Sequence, residues 1–233
     1  MNENSIRSMC LTIKLSSQYH IGSGFGLGRI IDSLLKVDED GMPVIPGSTV
    51  IGILAQGMFD LLRFNYLQQE RDKICDYHKP GKTGVKLSCR IMGRTHEDSC
   101  LLCYFFGSPA QDGILLCQDF QSAPEDSILR HMMKSGKYSL DERRQVIREY
   151  ASHRQNIRTG AVLANHFFVK EEGGGFLTFQ GRIEFTRNIH EERLIYLAAA
   201  MKNVDALGQR KTRGKGACTI ACDAIGSLIK QLP

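Results

Sequence analysis

Four residues carry the spacing of a metal site: Cys75-x2-His78, then Cys100-x2-Cys103. A tight turn with two intervening residues presents two ligands on one side, and two such turns complete the tetrahedron that zinc prefers. Cys100 and Cys103 anchor the set. The matching spacing makes Cys75 and His78 the expected partners, with Cys89 and His96 as open alternatives. Four protein ligands imply a structural Zn2+, because a catalytic zinc keeps an open position. The surrounding stretch, residues 70–112, is polar, rich in cysteine, histidine and glycine, and follows neither the helical nor the strand period. A metal substitutes for a core in such an insertion. Cys10, Cys117, Cys218 and Cys222 fall on predicted strands and read as ordinary thiols.

The second chemistry-bearing run is GQRKTRGKG, residues 208–216. Its glycines let backbone amides point at phosphates, while Arg210, Lys211, Arg213 and Lys215 supply charge. A further basic cluster, Arg143, Arg144, Arg148, Arg154 and Arg158, fits a polyanion partner. A second glycine-rich run, IGSGFGLG (21–28), fails G-x-G-x-x-G because position 27 is leucine. The GKT triplet at 81–83 has no glycine at the position a Walker A loop requires. Both failures argue against a nucleotide-dependent dehydrogenase or ATPase, and 21–28 reads as a loop whose backbone approaches something closely.

The elements that must position these residues follow from length and pattern. The 233 residues, 42% apolar and 24% charged with a net charge of +5, suit a soluble globular chain with one core and insertions. No apolar run reaches the roughly 20 residues of a membrane span. MNENSIRSMC lacks a signal core, so a cytoplasmic protein with reduced thiols is expected. MCLTIKL (9–15) reads as a strand, RIIDSLLKV (29–37) as a second, and GILLCQDF (113–120) as a third. A helix is predicted from Thr49 to Gln69 with Ser48 as its N-cap, and another from Ser139 to His153 behind a Ser139/Glu142 capping box. AVLANHFFV (161–169) and FLTFQGRIEF (176–185), joined by EEGGG, read as a hairpin. A last helix over 189–204 and a strand over 217–223 close the chain. Strand, helix, strands, helix, strand is the order of an α+β, ferredoxin-like or RRM-like sandwich.

In this order the runs IGSGFGLGRIIDS, PVIPGST, CLLCYFFGS, RTGAVLANHFFVKEE and GQRKTRGKG resemble the RAMP superfamily of CRISPR proteins. Their spacing is most similar to the backbone subunit of type III effector complexes, over nearly the whole chain. The resemblance implies a single RAMP domain over 1–233, a zinc-binding insertion at 70–112, and a thumb-like β-hairpin at 155–182 that wedges into a guide–target duplex. Asp32 matches the aspartate tied to target-RNA cleavage, and Pro46, Gly47 and Ser48 match a turn close to the guide backbone. Arg158 and Thr159 fall near the base of the thumb. The run from Gly208 to Gly216, with Arg210, Lys211, Arg213, Gly214 and Lys215, matches the superfamily's RNA-binding loop. His20, Gly22, Ser23 and Gly24 belong to the first glycine-rich RNA-contacting segment.

The activity so implied is RNA-guided cleavage of complementary target RNA by 2′-hydroxyl transesterification, supported by Mg2+ or Mn2+. Its expected partners are guide RNA, target RNA, neighbouring copies or related RAMP subunits and other type III effector subunits, with no membrane. Two alternatives are a non-catalytic guide-binding scaffold and a guide-processing endoribonuclease with His20 as general base.

Overall fold

The computed structural model describes residues 6–28, 30–63, 74–79, 86–155, 158–189 and 191–225. The first strand, β1 (Ile6–Leu15), alternates as its sequence demands: Met9, Leu11, Ile13 and Leu15 are buried, while Ser8, Cys10 and Lys14 face out. It pairs antiparallel with β6 (Thr178–Ile189) on one side and with β7 (Cys218–Ala221) on the other. On its far side β6 takes β2 (Leu115–Cys117) and the short β3 (Gln121–Ser122). The resulting order, β2-β6-β1-β7, places the first and third strands of a β-α-β-β-α-β unit at the centre. This is the predicted ferredoxin-like α+β core.

Two helices cover the buried face. Helix α1 (Gly47–Arg63) buries Val50, Ile53, Leu54, Met58, Leu61 and Leu62 at helical spacing. It crosses α5 (Glu191–Lys202), whose Ala198 and Ala200 are buried. The crossing is close because Gly57 has no side chain: a Cβ there would lie 2.7 Å from the Ala200 carbonyl oxygen. Asn203 Nδ2 donates to the Gly57 carbonyl at 3.2 Å and pins the contact. Three further helices are short: α2 (Leu101–Phe106), α3 (Ser127–Ser135) and α4 (Leu140–Val146).

Several expected elements take a different form. Of the predicted strand over 29–37, the described residues 30–37 form no regular strand. This segment makes single bridges, Gly22 with Leu35 and Ser33 with Lys170, because it is shared between two backbones rather than laddered to one. The predicted 113–120 strand shortens to β2. Helix α1 begins at Gly47, one residue before the predicted cap, and the Gly47 amide is satisfied by Asp119 Oδ1 at 2.9 Å. Residues 64–69 of the predicted helix and the GKT triplet lie outside the described residues.

The largest correction concerns the hairpin. The capping box at Ser139 and Glu142 is present, but its helix stops at Val146 and the chain continues as β4 (Ile147–Gln155). That strand pairs with β5 (Val162–Gly173), from Ile147 opposite Gly173 to Gln155 opposite Val162. The predicted pairing of 161–169 with 176–185 is absent, because residues 178–185 belong to β6 and are taken by β1. The projecting hairpin therefore spans 147–173 rather than 155–182, and EEGGG is its exit from the core. Gly174 makes that exit possible, since a Cβ there would meet the Gln145 carbonyl oxygen at 1.9 Å.

The helix crossing gives a paired test. Ala in place of Gly gains about 1 kcal/mol of helix propensity, but overpacking against a fixed backbone costs roughly 1–3 kcal/mol. Gly52→Ala, where a Cβ meets nothing within 4 Å, should raise the melting temperature by about 2–4 °C. Gly57→Ala should lower it. A thermal melt of the two variants decides, and equal shifts would refute the close crossing.

Candidate nucleic-acid interface and metal centre

Cys75, His78, Cys100 and Cys103 converge, with all four ligand atoms within 4.8 Å of one another. Cys75 and His78 stand on either side of one turn, and Cys100 precedes α2 while Cys103 lies in its first turn. The sulfur separations are 3.6 Å for Cys75–Cys103 and 3.7 Å for Cys75–Cys100, and Cys103 Sγ lies 3.4 Å from His78 Nε2. A tetrahedron with Zn–S of about 2.3 Å has S···S edges of about 3.8 Å, so the set fits a zinc ion. Geometry thus chooses Cys75 and His78 over the two alternatives. Cys89 serves instead as a neighbour, its Sγ accepting the Cys100 amide at 3.2 Å, and His96 stacks edge-on against Tyr104. Without metal the thiols share protons unequally. The Cys103 thiol and backbone amides hold Cys100 down to about 4. Burial pushes Cys75 up to about 11.

The second site is assembled along β5. Asp32 is exposed, and its Oδ2 accepts the Val169 amide at 2.7 Å while its own amide donates to the Val169 carbonyl at 2.8 Å. The IIDS segment is therefore laid on the strand as a short extra rung, with one carboxylate oxygen left for other partners. Gly26 backs it closely, since a Cβ there would meet the Asp32 carbonyl oxygen at 2.7 Å.

Next along β5 are two buried carboxylates, Glu171 and Glu172, which point to opposite faces of the strand. Glu171 accepts from the Leu35 amide at 3.1 Å and from Arg143 at 3.2 Å, which ties the Asp32 segment down. Glu172 accepts from Arg148 at 3.0 Å and from Lys215 at 2.8 Å, which ties down the basic loop. That loop is held at two more points. Arg210 donates to Ser152 Oγ at 2.9 Å, and Lys170 donates to Gln209 Oε1 at 3.0 Å. Arg210 and Lys215 also stand over the Tyr150 ring, at 5.0 and 4.8 Å from its centroid. Arg210 is the one described non-glycine residue with positive φ, at 63°, a strained backbone that these contacts fix.

The predicted basic loop thus divides. Arg210 and Lys215 are half-buried and engaged with the hairpin, whereas Lys211, Arg213 and Gly214 are exposed. His20 is only 4% exposed. Its Nδ1–H donates to the Glu171 carbonyl, so Nε2 accepts from Ser33 Oγ at 3.1 Å. Burial lowers its pKa and keeps the ring neutral. His20 fastens the loop to the strand. Gly208 packs on its carbonyl, where a Cβ would sit at 2.6 Å. Gly22 lies against Ser33 beside it, while Ser23 and Gly24 continue toward the exposed Phe25.

Pro46, Gly47 and Ser48 open α1 as expected, but Asp119, itself paired with Lys36 at 2.7 Å, occupies the helix N-terminus. Arg158 and Thr159 are exposed in the connection between β4 and β5, at the distal end of the hairpin rather than its base. Sequence reasoning missed Glu171, Glu172, Tyr150 and Ser152. The VKEEGGG run was the available signal: two acids beside glycines, on a strand that has no other reason to place carboxylates inward.

Comparison with protein families identifies this arrangement. The model of the RAMP superfamily matches residues 12–219, so the chain belongs to that superfamily. A chain of the type III-B Cmr-beta complex bound to cognate target RNA superposes with a TM-score of 0.59 at 11% identity, covering 97% of this chain and 99% of that one. A chain of the apo state of type III-B Cmr-beta gives 0.57 at 12% identity, over 93% and 97%. At such identity the likeness is one of fold. No curated protein matches the chain. Among the described residues no helix is long and apolar enough to cross a membrane.

Elemental analysis checks the metal centre. The purified protein should carry about one zinc per chain. Cys100→Ser with Cys103→Ser should abolish it and lower the melting temperature, whereas Cys89→Ser should retain the metal. Metal retained in the double variant would refute the assigned ligands.

Proposed function

We propose that this chain is a guide-RNA-binding backbone subunit of a type III CRISPR effector complex, and that Asp32 serves cleavage of complementary target RNA. The observation that carries the reading is the seating of Asp32: an exposed carboxylate fixed by the Val169 amide, on the flank of a projecting hairpin and beside a basic loop. In this reading the chain is a single RAMP domain, the 70–112 insertion is a zinc-stapled support, and the hairpin over 147–173 is the thumb.

The reaction is a transesterification within the target strand. The ribose 2′-hydroxyl attacks the adjacent phosphorus, a P–O bond to the 5′-oxygen breaks, and the products are a 2′,3′-cyclic phosphate and a 5′-hydroxyl. The protein supplies no nucleophile. It must splay one nucleotide out of the stack so that attack is in line, and such positioning is worth on the order of several kcal/mol. The exposed Phe167 and Phe168 on β5 present apolar surface for that task. The second oxygen of Asp32 lies within reach of solvent to accept the 2′-hydroxyl proton. A lone exposed carboxylate also suits Mg2+ or Mn2+, which bind through few protein ligands plus RNA oxygens and, when bound, neutralise charge at the scissile phosphate. Lys211 and Arg213 face outward to hold backbone phosphates, and base pairing with the guide reads the sequence.

A guide-processing reading with His20 as general base is disfavoured by the burial of that ring and by the engagement of both its nitrogens. The scaffold reading shares every feature except the role of Asp32.

The assembled, guide-loaded complex should cut end-labelled complementary RNA into a regular ladder. Asp32→Ala should remove the ladder while target binding persists. Cleavage unchanged in the variant would leave the chain a scaffold. For the loop, Lys211→Glu with Arg213→Glu should weaken RNA binding and reduce the slope of log K against log salt by roughly 1–2. RNA affinity unmoved by that change would take the loop out of the interface.

A further inference from the structure

The chain from Gly22 to Leu35 folds back on itself as a small hairpin. Gly22 bridges to Leu35 and Leu27 to Ile31, both antiparallel. The Ser23 amide donates to the Leu34 carbonyl at 2.9 Å, the Leu34 amide to the Phe25 carbonyl at 2.9 Å, and the Leu27 amide to the Ile31 carbonyl at 2.7 Å. Its returning half is the Asp32 segment laid on β5, so three backbones run side by side with Asp32 on the middle one. Gly26 faces Asp32 from the outer backbone, and Val169 faces it from β5. Phe25 is therefore one residue from the position opposite Asp32 on one side, and Phe168 is one residue from it on the other.

Phe25, Leu27 and Ile30 on this hairpin are apolar and exposed, Phe25 by 75%. Core formation does not account for them, since Ile31 and Leu35 are the side chains that turn inward. Phe25 is singled out further by its neighbours. Gly24 takes a φ of 86°, and a Cβ on it would meet nothing within 4 Å. Gly26 follows, so neither adjacent residue has a side chain to cover the ring. Ser23 Oγ accepts the Phe25 amide at 3.2 Å and closes a turn that fixes the backbone beneath it. The outcome is an uncovered phenyl group on a hydrogen-bonded backbone, beside a carboxylate with one open oxygen.

We propose that Phe25 is a stacking platform for one unpaired RNA base, that of the target nucleotide whose 2′-hydroxyl faces Asp32. The inference rests on the cleavage reading given above. A nucleotide splayed from a duplex loses its stacking on both sides, and an aromatic face restores it whatever the base. Phe167 and Phe168 displace the base from the β5 side, and Phe25 receives it across the Asp32 segment. A protein partner suits the spot less well. It would cover the Asp32 carboxylate, and a buried charge needs a donor of its own. A nucleotide brings that donor, because its 2′-hydroxyl points at the open oxygen.

Single-turnover cleavage by the assembled, guide-loaded complex tests this. One target carries, on the 5′ side of a mapped cut, an abasic nucleotide that keeps its 2′-hydroxyl. Phe25→Ala should slow cutting roughly tenfold or more, and Phe25→Tyr should restore it. The wild type should accept any base at that position. The abasic target should slow the wild type by a similar factor and the Phe25→Ala complex no further, since both changes remove one contact. Zinc content and melting temperature should hold in the variant, whose side chain is exposed. Unchanged cutting in Phe25→Ala, or losses that multiply between variant and abasic target, would overturn the proposal. Failure of the Phe25→Ala complex to assemble would also overturn it, by revealing a contact between protein chains. Asp32→Ala, run in parallel, separates the two readings. A ladder that survives there undoes the cleavage assignment, whereas a ladder lost there and untouched in Phe25→Ala undoes only the role of Phe25.

Discussion

Two adjacent buried carboxylates on β5 hold the candidate interface together. Glu171 and Glu172 are 6% and 3% exposed, and each is paired with an arginine from the preceding helix or strand. A buried ion pair contributes little net stability, because desolvation offsets the attraction. Removing one partner is another matter, costing about 3–5 kcal/mol through the charge left behind. That asymmetry turns the pair into a device for register. Glu171 ties down the Asp32 segment and Glu172 ties down the basic loop, so three segments distant in sequence meet along one strand.

Around this spine the chain places glycine where backbones must touch. Gly208 allows approach to the His20 carbonyl, and Gly216, with φ of 74°, lies where a Cβ would strike the Leu207 carbonyl oxygen at 1.8 Å. His20 completes the arrangement from inside, as a neutral ring bridging Glu171 and Ser33. For the proposed cleavage such rigidity would matter, since a displacement of about 1 Å can cost two orders of magnitude in rate. The outward groups, Asp32, Lys211 and Arg213, are thus carried on a frame that is itself largely dry.

The insertion solves a different problem. Outside α2 its described residues bury few apolar side chains, and the Cys/His cluster brings two turns distant in sequence together. The α2 segment then packs Leu101, Leu102, Tyr104 and Phe105 into the main core, which joins the insertion to the sheet.

Sequence alone determined the elements with a clean period: β1 by alternation, α1 by its helical stripe, the capping box at Ser139, and the Cys100-x2-Cys103 half of the metal set, whose other two ligands the tertiary structure chose. Short motifs in a characteristic order also singled out Asp32 and the basic loop as candidates. Tertiary structure alone decided the partners. Residues 176–185 are strand-like in isolation and pair equally well with either neighbour by local rules. Only the demand of β1 for a central partner sends them to the main sheet and leaves β4 for β5. The division of the basic loop into structural Arg210 and Lys215 and outward Lys211 and Arg213 was likewise invisible in sequence. Charge type is a local property, whereas the carboxylate or aromatic face that claims a charge arrives from about forty to sixty residues away in the chain, and burial of that partner decides which charges remain for a ligand.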